Sequence, residues 1–500
     1  MGQDALKPKL EAGTHRVTWT LSKPPEPGTW EVSGEAEMLG LRQPQGLVFG
    51  TAPANWTTDE ATGHGHAVWP QHVDYPLVYG EMNGGLDILL LDAHLTVFGE
   101  KPRTGIMNFS GANAVFDAWA ALVGSGAPSE ATPLLIDSGV VQVPHLEAFA
   151  GKSPIAEKRF HIENLYEQEK PEFAAIIDKE SRQTWQDESA EVSLYYQLSM
   201  DVGGWYSFGI AASPVVSVKL TTPVPLSEFL IQWAWPLREL VAAATGRRED
   251  ITYLTCSPVI DGDARPHALR QFQVFNASVS QKPYTSENSL RDKNISAIRI
   301  SEGESLLALL RRWQDLTASE NPILNTYDMN AVGPNQHPRA RFLLLLQALE
   351  GLHGYEYQME IDERQTKHTV LREPVLSRCK SALAELPGDF KFIKKFLRKQ
   401  PLETFDAAIR KMLEILPVDL EPELEQSALV QSVRSDNETV STTLDAIRIA
   451  RNGLSHGTKA YNRQELAEAA NILERAVRGH LFRLLEASPE AIERVLSPDD

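Results

Sequence analysis

The sequence predicts an α+β chain of two domains, a β-rich N-terminal domain over residues 1–300 and an all-α helical bundle over 301–500. Three observations lead there. Short stretches of alternating apolar and polar residues, bounded by Gly and Pro, dominate roughly the first 220 residues. From Ser301 the apolar residues recur at helical spacing instead. The connections in that second part are short, which suits an up-and-down bundle.

In chain order, 15–21 and 29–34 alternate and read as strands, with Pro24-Pro25-Glu26-Pro27-Gly28 as the turn between them. Residues 86–91 and 94–98 read as a hairpin turning at Asp92-Ala93, and 114–123 as a short helix. Strand character continues at 134–136, 140–143, 192–198, 205–211 and 215–220. Ser227 is a candidate N-cap for a helix carrying Phe229, Leu230, Trp233, Leu237, Leu240 and Val241. Strands return at 251–254 and 272–279, and the domain boundary is expected between Asp292 and Asn321. Beyond it, 306–316 is an amphipathic helix and 321–337 a loop. Phe342, Leu345, Leu346, Leu349 and Leu352 then form one stripe of a long helix. Further helices are expected at 370–386, 389–399, 402–416, 428–433 and 439–450. Asn462 with Glu465 makes a capping-box pattern ahead of the last long helix.

Hydrophobic content of 42% and charged content of 23% are those of an ordinary soluble globular protein. The net charge of −19 argues against a general electrostatic coating of nucleic acid, while leaving room for a local basic site. Residues 441–480 hold six basic and four acidic side chains. The two cysteines, Cys256 and Cys379, make neither a zinc motif nor a disulfide framework, so a reducing cytoplasm is expected. Met1-Gly2-Gln3-Asp4-Ala5-Leu6 lacks the basic and apolar regions of a signal peptide, so none is expected. No apolar run approaches the roughly 20 residues that span a bilayer, so no membrane association is expected.

The densest chemistry lies in Arg451-Asn452-Gly453-Leu454-Ser455-His456. Histidine exchanges protons near neutral pH. Arginine presents a planar fork of donors to phosphate oxygens, and Asn can orient a phosphate or a ribose hydroxyl. An RNA strand supplies its own nucleophile, the 2′-hydroxyl. A five-residue step turns about 140° on a regular helix, so Arg451 and His456 would not share a face. Gly453 and Gly457 are expected to loosen the helix and let both side chains converge.

The segment 446–457, AIRIARNGLSHG, resembles the signature of HEPN domains, an Arg and a polar residue followed by a short spacer and His between two helices. RFLLLLQALEGLHGY at 341–355 is similar to the first long helix of the HEPN domain in ApeA-type anti-phage defence proteins, and the N-terminal half looks like that family's own N-terminal domain. The resemblance implies a metal-independent endoribonuclease with no cofactor, leaving a 2′,3′-cyclic phosphate. His456 would be general base or acid, Arg451 the transition-state stabiliser and Asn452 the orienter. It also implies dimers or higher oligomers through the HEPN domain, RNA substrates with tRNA a candidate, and abortive infection set off by a phage-derived activator. In that picture the β-rich domain senses or regulates.

Other candidates are weighed beside this motif. Lys459 can act as a point charge for phosphate, and Ser455 reads as a helix-end hydrogen bonder. Glu350 and His353, at i and i+3, share a helix face from which a carboxylate could tune His456. Lys391, Lys394, Lys395, Arg398 and Lys399 form the strongest basic patch, expected to touch an RNA backbone, with Phe392, Ile393, Phe396 and Leu397 as the core face of the same helix. His64, His66, His72 and Asp74 have metal-ligand residue types but no zinc spacing, so a Gly-rich loop is the better reading and no metal is expected. Gly151-Lys152-Ser153 ends like a P-loop, but Leu146 stands where its first glycine belongs. Trp205, Tyr206, Trp233 and Trp235 read as core or interface aromatics. Two rival functions stay open: a non-catalytic HEPN module binding RNA or protein beside a ligand-binding β-rich domain, and a carbohydrate- or small-ligand-binding β domain fused to a helical dimerisation domain.

Overall fold

The computed structural model describes the chain except residues 1–5, 23–28, 50–54, 59–64, 69–71, 99–112, 128–133, 160–173, 205–206, 260–270, 284–294, 329–332, 334–335, 398–404, 438 and 498–500. The chain divides into two compact units, residues 1–245 with 249–310, and 246–248 with 311–500. The first is β-rich and the second helical.

In the first unit, β1 (Gly13–Ser22), β2 (Thr29–Met38) and β3 (Gln45–Val48) pair in sequence, and the small hairpin of β4 (Asn55–Thr58) and β5 (Gly65–Val68) follows. Then β6 (His72–Met82), β7 (Leu86–Phe98) and β8 (Asn113–Gly124) close a six-stranded barrel in the order β8-β3-β2-β1-β6-β7, with β7 returning to β8. The barrel is filled around Trp19, fully buried, whose ring lies 5.7 Å from that of Phe116. The Trp19 indole N–H donates to the Leu47 carbonyl at 3.0 Å, so the buried ring leaves no orphan donor. Glycine makes room for it. A Cβ on Gly34 would fall 1.9 Å from the Leu47 carbonyl oxygen and 2.5 Å from the indole nitrogen.

The far end of β8 continues into an open sheet. It runs through β16 (Phe272–Asn276), β15 (Tyr253–Pro258), β9 (Leu135–Gln142), β14 (Ser207–Pro225), β13 (Ala190–Gly204) and β12 (Gln183–Gln186). Helix α1 (Leu146–Ala150) follows β9, and β10 (Ile155–Arg159) pairs with β11 (Ala174–Ile177). Helices α2 (Leu226–Phe229) and α3 (Trp235–Thr245) are joined by a π-turn, Leu230–Ala234, and α2 seats Phe229 against Gly139 of β9.

Three expectations need correction here. Residues 114–123 are strand, not helix, paired with β3, β7 and β16: buried Ala114, Phe116, Ala118 and Ala120 alternate with the more open Val115, Asp117 and Trp119, and only from Ala120 to Val123 does a run buried throughout hide the period. Residues 86–98 are one strand, not a hairpin, because β6 and β8 pair with it on both sides of a left-handed kink at Asp92, φ 48°. The N-cap position before α2 is Pro225 rather than Ser227.

The second unit contains α4 (Leu306–Ala318) from Arg311 onward, α5 (Pro322–Thr326), α6 (Pro338–Glu356), α7 (Gln358–Ala382), α8 (Pro387–Phe396), α9 (Phe405–Glu414), α10 (Glu421–Gln426), α11 (Ala428–Asp436), α12 (Thr443–Ser455), α13 (Arg463–Leu484) and α14 (Pro489–Leu496). α5 interrupts the expected loop, with Asn321 as N-cap and Pro322 at the first position. The centre is α6, buried through Phe342, Leu345, Leu346, Leu349 and Leu352 and packed along α13. Arg341 and Glu474 form an ion pair between these helices, each only 5% exposed. Arg341 also donates to Asn471 Oδ1 at 2.6 Å, and the Tyr327 hydroxyl to Glu474 at 3.3 Å.

His480 on α13 is fully buried, with Nε2 donating to the Met412 carbonyl at 2.9 Å. Burial, then the Arg483 charge, lowers its pKa from 6.5 to about 4. The unfolded chain therefore takes up this proton at a higher pH than the folded one. The stability held by neutral His480 is complete above about pH 6.5 and is lost as pH falls towards about 4, by up to about 3 kcal/mol. Urea unfolding from pH 7 to 4 should show this slope, and His480→Gln should lack that part of it. In the barrel, Gly34→Ala should cost about 1–3 kcal/mol through overpacking. An unchanged denaturation midpoint would count against the tight approach of Leu47 and Trp19.

Candidate functional site

The motif closes helix α12. Thr442 caps its start by accepting from the Asp445 amide at 3.2 Å, and Leu444, Ile447, Ala450 and Leu454 are its buried side. That leaves Arg448, Arg451 and Asn452 at the margin of the bundle, half-buried.

Arg451 is held from three directions. Its Nη2 donates to Glu350 Oε2 of α6 at 2.8 Å, and Nη1 to Asn452 Oδ1 at 3.3 Å. The guanidinium lies 5.4 Å from the ring centre of Phe405, the first residue of α9. The arginine remains 35% exposed and the glutamate 30%. Three residues earlier, Arg448 pairs with Asp445 of its own helix and with Asp406 of α9 at 3.3 Å. Phe405 and Asp406 were not singled out in the sequence. The signal available was the Arg448-x-x-Arg451 spacing, which puts two guanidinium groups on one face and calls for acid or aromatic partners opposite.

His456 is the C-cap residue of α12 and is exposed. Its amide donates to the Asn452 carbonyl at 3.0 Å, while its ring makes no hydrogen bond or ion pair among the described residues. The expected loosening of the helix does not occur. α12 is regular through Ser455, and Gly457 (φ 67°) ends it, with Thr458 N–H donating to the Gly453 carbonyl at 3.0 Å and Gly457 N–H to that of Leu454 at 3.2 Å. Arg339 of α6 also donates to the Leu454 carbonyl, at 2.5 Å. Gly453 serves close packing instead. A Cβ there would meet Lys459 Cβ at 3.1 Å and the Tyr461 hydroxyl at 3.5 Å, because the chain folds back over the helix end. Within one chain Arg451 and His456 thus keep the roughly 140° separation of a regular helix.

Lys459 reaches Asp436 at 3.5 Å, a surface pair with both partners largely solvated. The Tyr461 hydroxyl is buried beside Gly453 without a partner among the described residues, and burial, then the Asp436 charge, raises its pKa. Ser455 is exposed. Glu350 meets Arg451, whereas its neighbour His353 is buried with its ring 4.9 Å from that of Tyr357. Lys391, Lys394 and Lys395 lie on α8, with no contact to the motif, and Arg398 lies outside the described residues. The expected core face of α8 is not one: no residue of that helix is buried.

The remaining candidates fall elsewhere. His94 Nδ1 lies 2.5 Å from Asp74 and His94 Nε2 lies 3.3 Å from His72, across β6 and β7, so His72 and Asp74 sit on strands rather than in a loop. His64 lies outside the described residues, and of His66 only its place on β5 is described. Among the described residues no group of three or more His, Cys, Asp or Glu side chains is arranged to hold a metal ion. Lys152 is taken up by Asp178 and Glu180. Trp233 is buried, the Trp235 N–H donates to Ser278 at 3.2 Å, and Trp205 and Tyr206 lie outside the described residues. Compared with protein-family models, with curated proteins and with solved structures, the chain matches none.

Two arginines of this unit should respond very differently to truncation. Arg451→Ala breaks a half-solvated pair and should change unfolding free energy by no more than about 1 kcal/mol. Arg341→Ala strands the buried Glu474 charge and should cost about 3–5 kcal/mol. Denaturant melts of both variants check this; a severe loss in Arg451→Ala would mean that Arg451 is structural.

Proposed function

We propose that the helical unit is a metal-independent endoribonuclease of HEPN type, acting through Arg451, Asn452 and His456. One observation supports it most: Arg451 is oriented by Glu350, Phe405 and Asn452 yet remains accessible, while His456, five residues on, is exposed with its ring uncommitted among the described residues. His456 takes the 2′-hydroxyl proton, the 2′-oxygen attacks phosphorus, and the bond to the 5′-oxygen breaks as that oxygen gains a proton. Arg451 stabilises the charge on the pentavalent phosphate. The products are a 2′,3′-cyclic phosphate and a 5′-hydroxyl. Because the two side chains diverge around α12, the reading favours a homodimer in which two motifs face each other about a two-fold axis.

In this reading the protein works in the cytoplasm as an abortive-infection effector, with the β-rich unit as sensor of a phage-derived signal. Among the described residues no helix is long and apolar enough to cross a membrane. A second reading, a non-catalytic HEPN module that binds RNA or a protein, draws on the Glu350 carboxylate that neutralises Arg451.

The test is cleavage of total bacterial RNA and tRNA by full-length protein in excess EDTA, with and without phage lysate, wild type beside His456→Ala. Cutting that survives EDTA, leaves 2′,3′-cyclic phosphate ends and disappears in the variant is the expected result. Cutting that persists in His456→Ala, or none under any condition, would sink the nuclease reading and leave the binding module.

A further inference from the structure

Helix α8 and its neighbour α7 are the least buried helices of the second unit. Of 25 residues in α7 only Leu376 is buried, and in α8 none is. On α8, Phe392 and Phe396 are 63% and 60% exposed, and their rings lie 4.4 Å apart. Exposed phenylalanines in contact one turn apart are costly to leave in water and point to a partner. Beside them run Lys391, Lys394 and Lys395, all exposed, none in an ion pair among the described residues. Lys395 Nζ stands 5.4 Å from the Phe396 ring. At about 100° per residue the lysines form one stripe and the two rings the stripe next to it. In a chain of net charge −19 these three lysines stand together on one helix face without an acidic partner among the described residues, whereas Lys152, Lys411 and Lys459 each have one.

We infer that α8 is a binding platform for single-stranded RNA: unpaired bases stack on Phe392 and Phe396 while the backbone phosphates follow Lys391, Lys394 and Lys395. Aromatic faces accept any base, and lysine point charges follow a flexible backbone without needing a duplex groove. A membrane surface or a second copy of this chain could also cover apolar residues. Three lysines without an ion pair among the described residues, alongside two exposed rings in contact, complement a polyanion with exposed bases best. This deepens the ribonuclease reading by naming its substrate as unpaired RNA, and it rests on that reading for biological meaning but not for its test.

The test measures binding of a short labelled single-stranded RNA to full-length His456→Ala protein, so that affinity is read without cleavage. Adding Phe392→Ala and Phe396→Ala should weaken binding about tenfold or more. Phe392→Tyr with Phe396→Tyr should restore it. Lys391→Gln, Lys394→Gln and Lys395→Gln together should weaken binding and lower the slope of log affinity against log salt by about 2. Equal affinity with and without the phenylalanines overturns the proposal. So does tighter binding to phosphatidylserine vesicles than to RNA, or loss of a dimer in the phenylalanine variant with RNA affinity unchanged. Failure of the His456 cleavage assay alone leaves the platform standing, since binding is scored separately.

Discussion

The buried ion pair between Arg341 and Glu474 sets the geometry on which the candidate site depends. It joins α6 to α13 at a point where both side chains are buried. Apolar burial along both helices supplies the stability, and ion pairs of this kind add little to it on balance. What the pair adds is register. Sliding α6 by one turn would move it about 5 Å and leave two buried charges apart. Arg339 and Glu350 of the same helix, eleven residues apart, come back to within about 20° of each other. Both reach α12, one at the Leu454 carbonyl and the other at Arg451. The side of α6 that carries Arg341 is turned roughly 200° from Arg339, towards α13. One helix therefore fixes α12 both along its axis and around it.

How far the sequence discloses this can be judged residue by residue. Arg451, Asn452 and His456 stand out because residue type and order alone carry their chemistry. Glu350 is visible as a carboxylate on the right helix, but its partner is not, since the contact with Arg451 spans 101 positions. The glycines mislead for a different reason. Gly453 and Gly457 look alike in sequence, yet one sits inside a regular helix under Lys459 and the other occupies the left-handed position that ends it. Only the hydrogen bonds from Thr458 and Gly457 tell them apart. Strand β8 and helix α8 show the two limits of periodicity. β8 alternates over Ala114–Ala120 but ends in a run, Ala120–Val123, buried on both faces, which hides the alternation. α8 has a clean apolar stripe, yet no residue of that helix is buried among the described residues, and Phe392 and Phe396 stay exposed.

Charge placement gives the second unit its character. Several arginines of this unit have acidic partners: Arg448 pairs with Asp406 and Asp445, Arg434 with Glu425, Arg475 with Glu423 and Arg483 with Glu356. These pairs orient side chains more than they stabilise the fold, because half-solvated pairs contribute little. α8 differs in that its three exposed lysines share one face with no ion pair among the described residues.

The pairing of Arg451 with Glu350 looks at first like an obstacle to phosphate binding. The donor inventory argues otherwise. A guanidinium carries five N–H groups. Glu350 and Asn452 take one each, so three are left for a phosphate while both contacts persist. At 35% and 30% exposure the pair is also screened, and giving it up costs no more than about 1 kcal/mol. A charge-assisted hydrogen bond to phosphate is worth more than that. Glu350 thus acts as an orienting partner, keeping the long Arg451 side chain in one place before a substrate arrives and so lowering the entropy lost when it binds.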